Sequence, residues 1–177
     1  MVPLSRLLYL LYSLLLLLLP VVSLLTTPTV TVFGASGGVG QLICNELLAN
    51  NCKVRSVTRS PSKTAGFELL NGCELVKGDA RDLASLPSVL QGSDMIVISV
   101  GTTAFPTSKW KGGNDPETAC VTTVHNILSS IPSNSVPKKI LLLSSAGVTK
   151  GSEFPFSILN LYGILDAKKK AEDMLLE

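Results

Sequence analysis

The sequence predicts an α/β fold in which a parallel sheet of about five strands is flanked by helices. Five short apolar runs alternate along the chain with segments whose apolar residues have helical spacing. The content of 46% hydrophobic and 16% charged residues is ordinary for one globular domain. This alternation is typical of parallel strands joined by right-handed crossovers. We expect the domain to cover residues 29–177, behind a leader at residues 1–28.

The five strands are predicted from short runs of β-branched and apolar residues. Thr29–Phe33 alternates threonine with apolar residues, which favours a buried strand. Lys53–Val57 and Glu74–Val76 are similar, and a polar turn closes each. Met95–Ser99 is a continuous apolar run of the kind that is buried on both faces. Ile140–Leu143, after two lysines, is the fifth predicted strand.

The helices are predicted from apolar periodicity and from capping residues. Residues 39–50 place several apolar side chains on one side, and Asn50 ends that helix. After an irregular loop at residues 101–116, Asp115 is an N-cap and Pro116 occupies the first helical position. Three further helices are predicted at about residues 61–70, 83–90 and 164–176.

A glycine-rich turn, Gly34-Ala-Ser-Gly-Gly-Val-Gly40, lies between the first strand and the first helix. Gly34 permits the tight turn, Gly37 lets the backbone approach a pyrophosphate, and Gly40 lets the helix pack on the strand. The helix N-terminus offers free N–H groups to phosphates. A bare structural turn is the alternative. We therefore expect a Rossmann-type site with dinucleotide contacts from Gly34, Ser36, Gly37, Gly38, Val39 and Gly40.

The residues after the second strand indicate which dinucleotide is bound. An NAD-specific protein places an acid there for the ribose 2′-hydroxyl. This chain has Arg59, with Lys63 four residues later, and the two can clamp a 2′-phosphate. The alternative is a solvated basic turn. The expected cofactor is NADP(H).

Two further strand ends should border the same cofactor. Residues 78–82, Gly-Asp-Ala-Arg-Asp, follow the third strand and are placed to border the adenine, with Asp79 and Ala80 as the named contacts and Asp82 alternatively a helix cap. The backbone of Ser99, Val100 and Gly101, after the fourth strand, would pass beneath the ribose and the nicotinamide.

With these residues placed, the chain resembles the NmrA-like branch of the atypical short-chain dehydrogenase/reductase superfamily. Within that branch it resembles a plant and algal group similar to the redox-sensing subunit of the plastid import translocon. The most specific stretches are GASGGVG, TRSPSK, GDARD and LLLSSAGVTK, with residues 158–161 and 168–172. The resemblance implies a Rossmann fold and no single activity, because function resides in the site rather than in the fold.

The resemblance also implies a catalytic tyrosine four residues before a lysine, and the chain departs from that pattern. The helix pattern aligns Lys168 with the lysine, but Ile164 stands four residues earlier and Tyr162 stands six earlier. Lys168 keeps an expected role on the cofactor ribose and is the one candidate catalytic residue; a solvated helix end is the alternative. Ser144, which ends the fifth strand, either positions a ligand or is structural.

Two functions are compatible with these residues. One is an NADPH-dependent reductase whose proton comes from solvent or from Lys168. The other is a non-catalytic NADP(H)-binding sensor or scaffold that docks a redox-protein partner. The chain stops ahead of the fold's usual sixth strand, so we expect the C-terminal substrate-binding part to be lacking. A net charge of +2 argues against nucleic-acid binding, and the four cysteines have no metal-site spacing.

The N-terminus predicts a targeting segment. Residues 7–25 carry no charge and follow Arg6, as in a signal peptide, and Val21 and Ser23 are small enough to precede a cleavage site. A retained membrane anchor is the alternative. The resemblance to plastid proteins suggests a plastid destination through a signal peptide, with the secretory pathway as runner-up and plain cytosol disfavoured.

We predict cleavage after Ser23, because only residues 26–28 separate the apolar run from the first strand and a retained anchor would press the glycine turn against the headgroups. N-terminal sequencing of the native protein measures this. A start at Met1 in a carbonate-resistant membrane fraction would show an anchor instead.

Overall fold

The computed structural model describes residues 27–176, and these form a wholly parallel five-stranded sheet. The strand order is β3-β2-β1-β4-β5, so the strand order reverses direction once, where the chain passes from β3 at one edge back to β4 beside β1. This arrangement confirms the predicted Rossmann-type fold class. The strands are β1 (Thr29–Phe33), β2 (Lys53–Thr58), β3 (Glu74–Lys77), β4 (Met95–Ile98) and β5 (Lys139–Leu142).

Helices connect the strands and flank the sheet. They are α1 (Gly38–Ala49), α2 (Pro61–Thr64), α3 (Leu86–Leu90), α4 (Thr123–Ser129), α5 (Phe156–Leu159) and α6 (Ile164–Leu176). A π-helical segment, Glu117–Thr122, runs directly into α4. Single 3-10 turns lie at Glu68–Leu70, Leu83–Ser85, Ser108–Trp110 and Val148–Lys150.

Two predicted helices are shorter than their apolar spacing suggested. The one predicted at residues 61–70 ends at Thr64, whose hydroxyl donates to the carbonyl of Pro61 at 3.0 Å, and resumes as a 3-10 turn after Gly66. The one predicted at residues 83–90 is α-helical only from Leu86. Pro87 has no N–H to donate to the carbonyl of Leu83, so the first turn stays 3-10.

The helix predicted after the long loop begins as expected and then departs from regular geometry. The carboxylate of Asp115 accepts from the backbone N–H of Thr118 at 3.1 Å and from its hydroxyl at 2.8 Å, which confirms the N-cap. The six residues from Glu117 are π-helical, and Thr123 donates its hydroxyl to the carbonyl of Ala119 at 2.6 Å. Apolar spacing does not distinguish this widened turn from an α-helical one.

The core lies in two layers, one on each face of the sheet. Val30 and Val32 of β1 face the layer beneath α1 and are fully buried, while Phe33 belongs to the opposite layer. Thr31 is also fully buried, and its hydroxyl forms a hydrogen bond with the hydroxyl of Ser93 at 2.6 Å. This explains why a buried strand can alternate threonine with valine without an unpaired polar group.

The predicted leader lies outside the described residues except for Thr27 and Pro28. Pro28 extends the β1–β2 pair, because its carbonyl accepts from the backbone N–H of Lys53 at 2.9 Å. No helix among residues 27–176 is long and apolar enough to cross a membrane.

Candidate functional site

A cleft opens at the carboxyl edge of the sheet, where β1, β2, β3 and β4 end. This is the edge at which open parallel sheets bind ligands. Most of the predicted site residues lie together in its wall: Gly34, Ser36, Gly37, Arg59, Asp79, Ala80, Ser99, Val100 and Gly101.

The glycine turn brings the first helix against the strand ends. Gly34 has φ +78°, and a Cβ there would lie 2.4 Å from the carbonyl oxygen of Ser99. A Cβ on Gly40 would lie 2.1 Å from the carbonyl oxygen of Gly34. Both positions therefore require glycine, as predicted. Gly37 differs, because its φ is −76° and its conformation is open to other residues. A Cβ there would lie 3.3 Å from the carbonyl oxygen of Gly34, a tighter contact than usual but far less severe than at the other two positions.

The turn leaves backbone donors free at the start of α1. The N–H of Gly37 donates to the carbonyl of Gly34 at 3.0 Å. The amides of Gly38, Val39 and Gly40 have no acceptor among the described residues, since their helical partners would lie in the turn. These donors, with the positive end of the helix dipole, fit a pyrophosphate. Gly38 and Val39 are exposed, so their N–H groups are accessible, whereas Gly40 is buried; these three predicted residues adjoin the cleft lining without being part of it.

Only one of the two predicted basic residues lines the cleft. The Arg59 side chain is exposed at the end of β2, and its Nη1 donates to Oδ1 of Asn114 at 3.3 Å. Lys63 is exposed on α2 and is not among the lining residues. The predicted clamp of two basic groups thus becomes an arginine paired with an amide from the long loop.

An ion pair occupies the rim after β3. Arg81 Nη2 lies 2.6 Å from Asp79 Oδ2, and Arg81 Nε donates to Asp79 Oδ1 at 2.9 Å. The hydrogen-bonded guanidinium holds the pKa of Asp79 below its ordinary value. The neighbouring carbonyl of Ala80 accepts from Nδ2 of buried Asn126 at 3.1 Å, which fixes this rim to α4.

Ser144 and Lys168 lie in a smaller adjoining pocket that shares Val100 with the cleft. Lys168 Nζ donates to the carbonyl of Leu143 at 3.2 Å, so α6 reaches the end of β5. The Ser144 hydroxyl is buried without a partner among the described residues. Burial raises the pKa of Cys120 in the same wall, which leaves an uncharged thiol there.

Tyr162 packs against aromatic side chains. It precedes α6 and lies edge-on between two aromatic rings, Phe105 at 6.0 Å and Trp110 at 6.1 Å between ring centroids. The residue four positions before Lys168 is Ile164, which is 5% exposed and packs in the core. The structure therefore agrees with the sequence that Tyr162 and Lys168 do not form the expected dyad.

Sequence reasoning missed about half of the wall. Asn114 carried no pattern of its own, since its position depends on how the long loop folds back, and Arg81 lies in the GDARD stretch without having been named as a contact. Gly78 and Thr58 adjoin predicted positions, so the strand-end rule could have found them. The lining residues that were not predicted are Phe33, Val57, Thr58, Gly78, Arg81, Asn114, Ala119 and Thr123.

Comparisons with known proteins agree with this geometry. The family described as NAD(P)H-binding matches residues 34–177. The chain is 34% identical over 79 residues to the NmrA-like family domain-containing oxidoreductase hkm9 of Aspergillus hancockii, covering 44% of this chain and 24% of that protein. It is 28% identical over 165 residues to Protein TIC 62, chloroplastic, of Arabidopsis thaliana, covering 84% of this chain and 25% of that protein.

A short-chain dehydrogenase/reductase from Veillonella parvula, solved in complex with NADP, superposes with a TM-score of 0.61 at 14% identity, covering 86% of this chain and 65% of that one. The matched regions span about a quarter of the two relatives' own length. The chain belongs to the NAD(P)H-binding family. It is a Rossmann protein of the atypical, NmrA-like short-chain dehydrogenase/reductase type.

We predict that Gly40→Ala destabilises the fold while Gly38→Ala does not. The methyl group at Gly40 would meet a backbone oxygen at 2.1 Å, whereas nothing lies within 4 Å of one at Gly38. Overpacking of this kind costs about 1–3 kcal/mol. Urea unfolding of both variants measures the difference. Equal unfolding free energies would show that the helix does not need this close approach.

Proposed function

We propose that this protein binds NADP(H) in preference to NAD(H) and acts as an NADPH-dependent reductase of the atypical short-chain type. Arg59 carries this proposal, because it lines the cleft at the end of β2, where an NAD-specific site has an acid. Asp79 is the one carboxylate among the described lining residues, and it is paired with Arg81. Two guanidinium groups against one carboxylate favour the extra negative charge of a 2′-phosphate.

The other strand ends supply the remaining contacts in this proposal. The free amides of Gly38, Val39 and Gly40 bind the pyrophosphate, and Gly37 leaves room for it. Asp79 and Ala80 border the adenine, while the backbone of residues 99–101 lies beneath the ribose and the nicotinamide. The Veillonella parvula protein, which shares the fold, was solved with NADP.

A bound nicotinamide cofactor supplies the hydride, and the chain orients the reactants and manages the proton. Lys168 is placed for this, since its Nζ would lie 3.8 Å from a Cβ on Gly101, at the nicotinamide end of the cleft. There the ammonium group holds a ribose hydroxyl or donates a proton. The Ser144 hydroxyl, buried without a described partner, faces the same small pocket and can position a ligand oxygen.

The missing phenol supports a second candidate function, a non-catalytic NADP(H) sensor that docks a redox protein. Buried Ile164 stands where the dyad would place its tyrosine, so a rigidly positioned acid is lacking at that helix position. The sensor uses the same cofactor contacts and differs only in turnover.

We predict that the protein binds NADPH at least about tenfold more tightly than NADH, which is about 1.4 kcal/mol and within reach of one charge-assisted hydrogen bond. Arg59→Asp should reverse the preference, because a carboxylate repels the 2′-phosphate and accepts from a ribose hydroxyl. Titrations that follow NADPH and NADH fluorescence measure both affinities.

Two variants serve as controls for this experiment. Lys63→Asp makes the same charge change outside the cleft wall and should keep the preference, which separates local contact from long-range charge. Gly37→Val should lower the affinities for NADPH and NADH by the same factor, since its branched side chain would hold the pyrophosphate away from the amides. An unchanged preference in Arg59→Asp would refute the assignment.

Turnover distinguishes the two candidate functions. We expect NADPH oxidation with at least one planar conjugated acceptor from a panel of quinones, flavins and bilins, followed as loss of absorbance of the reduced nicotinamide. Tight NADPH binding without turnover on any acceptor would instead support the sensor.

A further inference from the structure

The long loop between β4 and the π-helical segment folds back onto the adenosine end of the cleft. Arg81 Nη1 donates to the carbonyl of Gly112 and, at 3.2 Å, to that of Gly113. The two glycines have φ +72° and +76°, a left-handed pair that turns both carbonyls toward one guanidinium. Arg81 therefore ties the end of this loop to the end of β3.

The charge of Arg81 is already compensated. Its Nε and Nη2 engage both carboxylate oxygens of Asp79, and its backbone N–H donates to Asp79 Oδ1 at 3.0 Å. A planar fork held on two oxygens has little freedom to turn toward a ligand. Arg81 is thus engaged in holding the loop, which leaves Arg59 as the cation at this end of the wall whose one described side-chain partner is neutral.

The strapped loop places Asn114 beside Arg59. Asn114 Oδ1 accepts from Arg59 Nη1 at 3.3 Å, while its Nδ2 donates to the carbonyl of Lys111 at 3.1 Å. The second bond orients the amide, so that its oxygen and not its nitrogen faces the arginine. An amide oxygen orients a guanidinium without cancelling its charge, whereas a carboxylate would do both.

We propose that Asn114 is a specificity-determining residue that positions Arg59 for a 2′-phosphate. Its amide holds the guanidinium at the wall of the cleft and leaves the positive charge available to the ligand. This inference rests on the proposed NADP(H) function and adds the loop residue that makes Arg59 selective. Asn114 touches Arg59 and is given no part in the chemistry.

The test compares Asn114→Asp and Asn114→Ala in the full chain, with NADPH and NADH affinities measured for each. Asn114→Asp keeps the shape but neutralises Arg59, so the NADPH affinity should fall about tenfold, as for loss of one charge-assisted contact, while the NADH affinity changes far less. Asn114→Ala removes only the positioning and should lower the NADPH affinity by less than Asn114→Asp. Asn134→Asp makes the same chemical change in an exposed turn and should leave both affinities unchanged.

The ratio of the two affinities separates specificity from folding. A loop that merely loses structure would weaken NADPH and NADH together, and that result would overturn the positioning role. A wild-type preference for NADPH that survives in both Asn114 variants would overturn this inference and leave the proposed function intact. Equal affinities of the wild-type protein for NADPH and NADH would overturn both this inference and the proposed function.

Discussion

The site depends on how closely the first helix can approach the carboxyl ends of β1 and β4. At Gly40 the helix passes so near the carbonyl of Gly34 that a Cβ would overlap it, and at Gly34 the turn passes equally near the carbonyl of Ser99. Only glycine satisfies both approaches. Because the helix starts there, the amides of Gly38, Val39 and Gly40 have no acceptor in the turn, and Gly37, which precedes them, lines the cleft.

A second constraint acts at the other end of the cleft, where two arginines have different surroundings. Arg81 is paired with the carboxylate of Asp79 and donates to two loop carbonyls, so its charge stabilises the loop. Arg59 is exposed, its one described side-chain hydrogen bond is to a neutral oxygen, and the Asp79 carboxylate in the same wall is already paired with Arg81. Residues of the same type thus differ in function because one is electrostatically satisfied within the fold and the other is available to an anion.

Local patterns predicted the strands and the glycine turn, because each depends on residues close in sequence, and the alternation of strands with helices predicted the parallel sheet. They did not predict the partner of Arg59. Lys63 is near in sequence, yet α2 carries it onto an exposed surface, while Asn114 comes from 55 positions further along. That contact depends on how the long loop folds back, with Arg81 bound to the carbonyls of Gly112 and Gly113, so no spacing encodes it. The π-helical turn at Glu117–Thr122 was not predicted either, because its apolar pattern suits an α-helix equally well.

In the proposed reductase, the residues near Lys168 would constrain which acceptors can be reduced. Hydride addition to a simple ketone leaves an alkoxide, a strong base that needs a positioned acid, and Ile164 occupies the helix position where the phenol would stand. Hydride addition to a quinone or a flavin leaves an anion whose charge spreads over a conjugated ring and which solvent can protonate. Lys168, held by the carbonyl of Leu143, can stabilise such an anion without transferring its proton. If the protein is the reductase proposed above, conjugated acceptors therefore fit its chemistry better than isolated carbonyls.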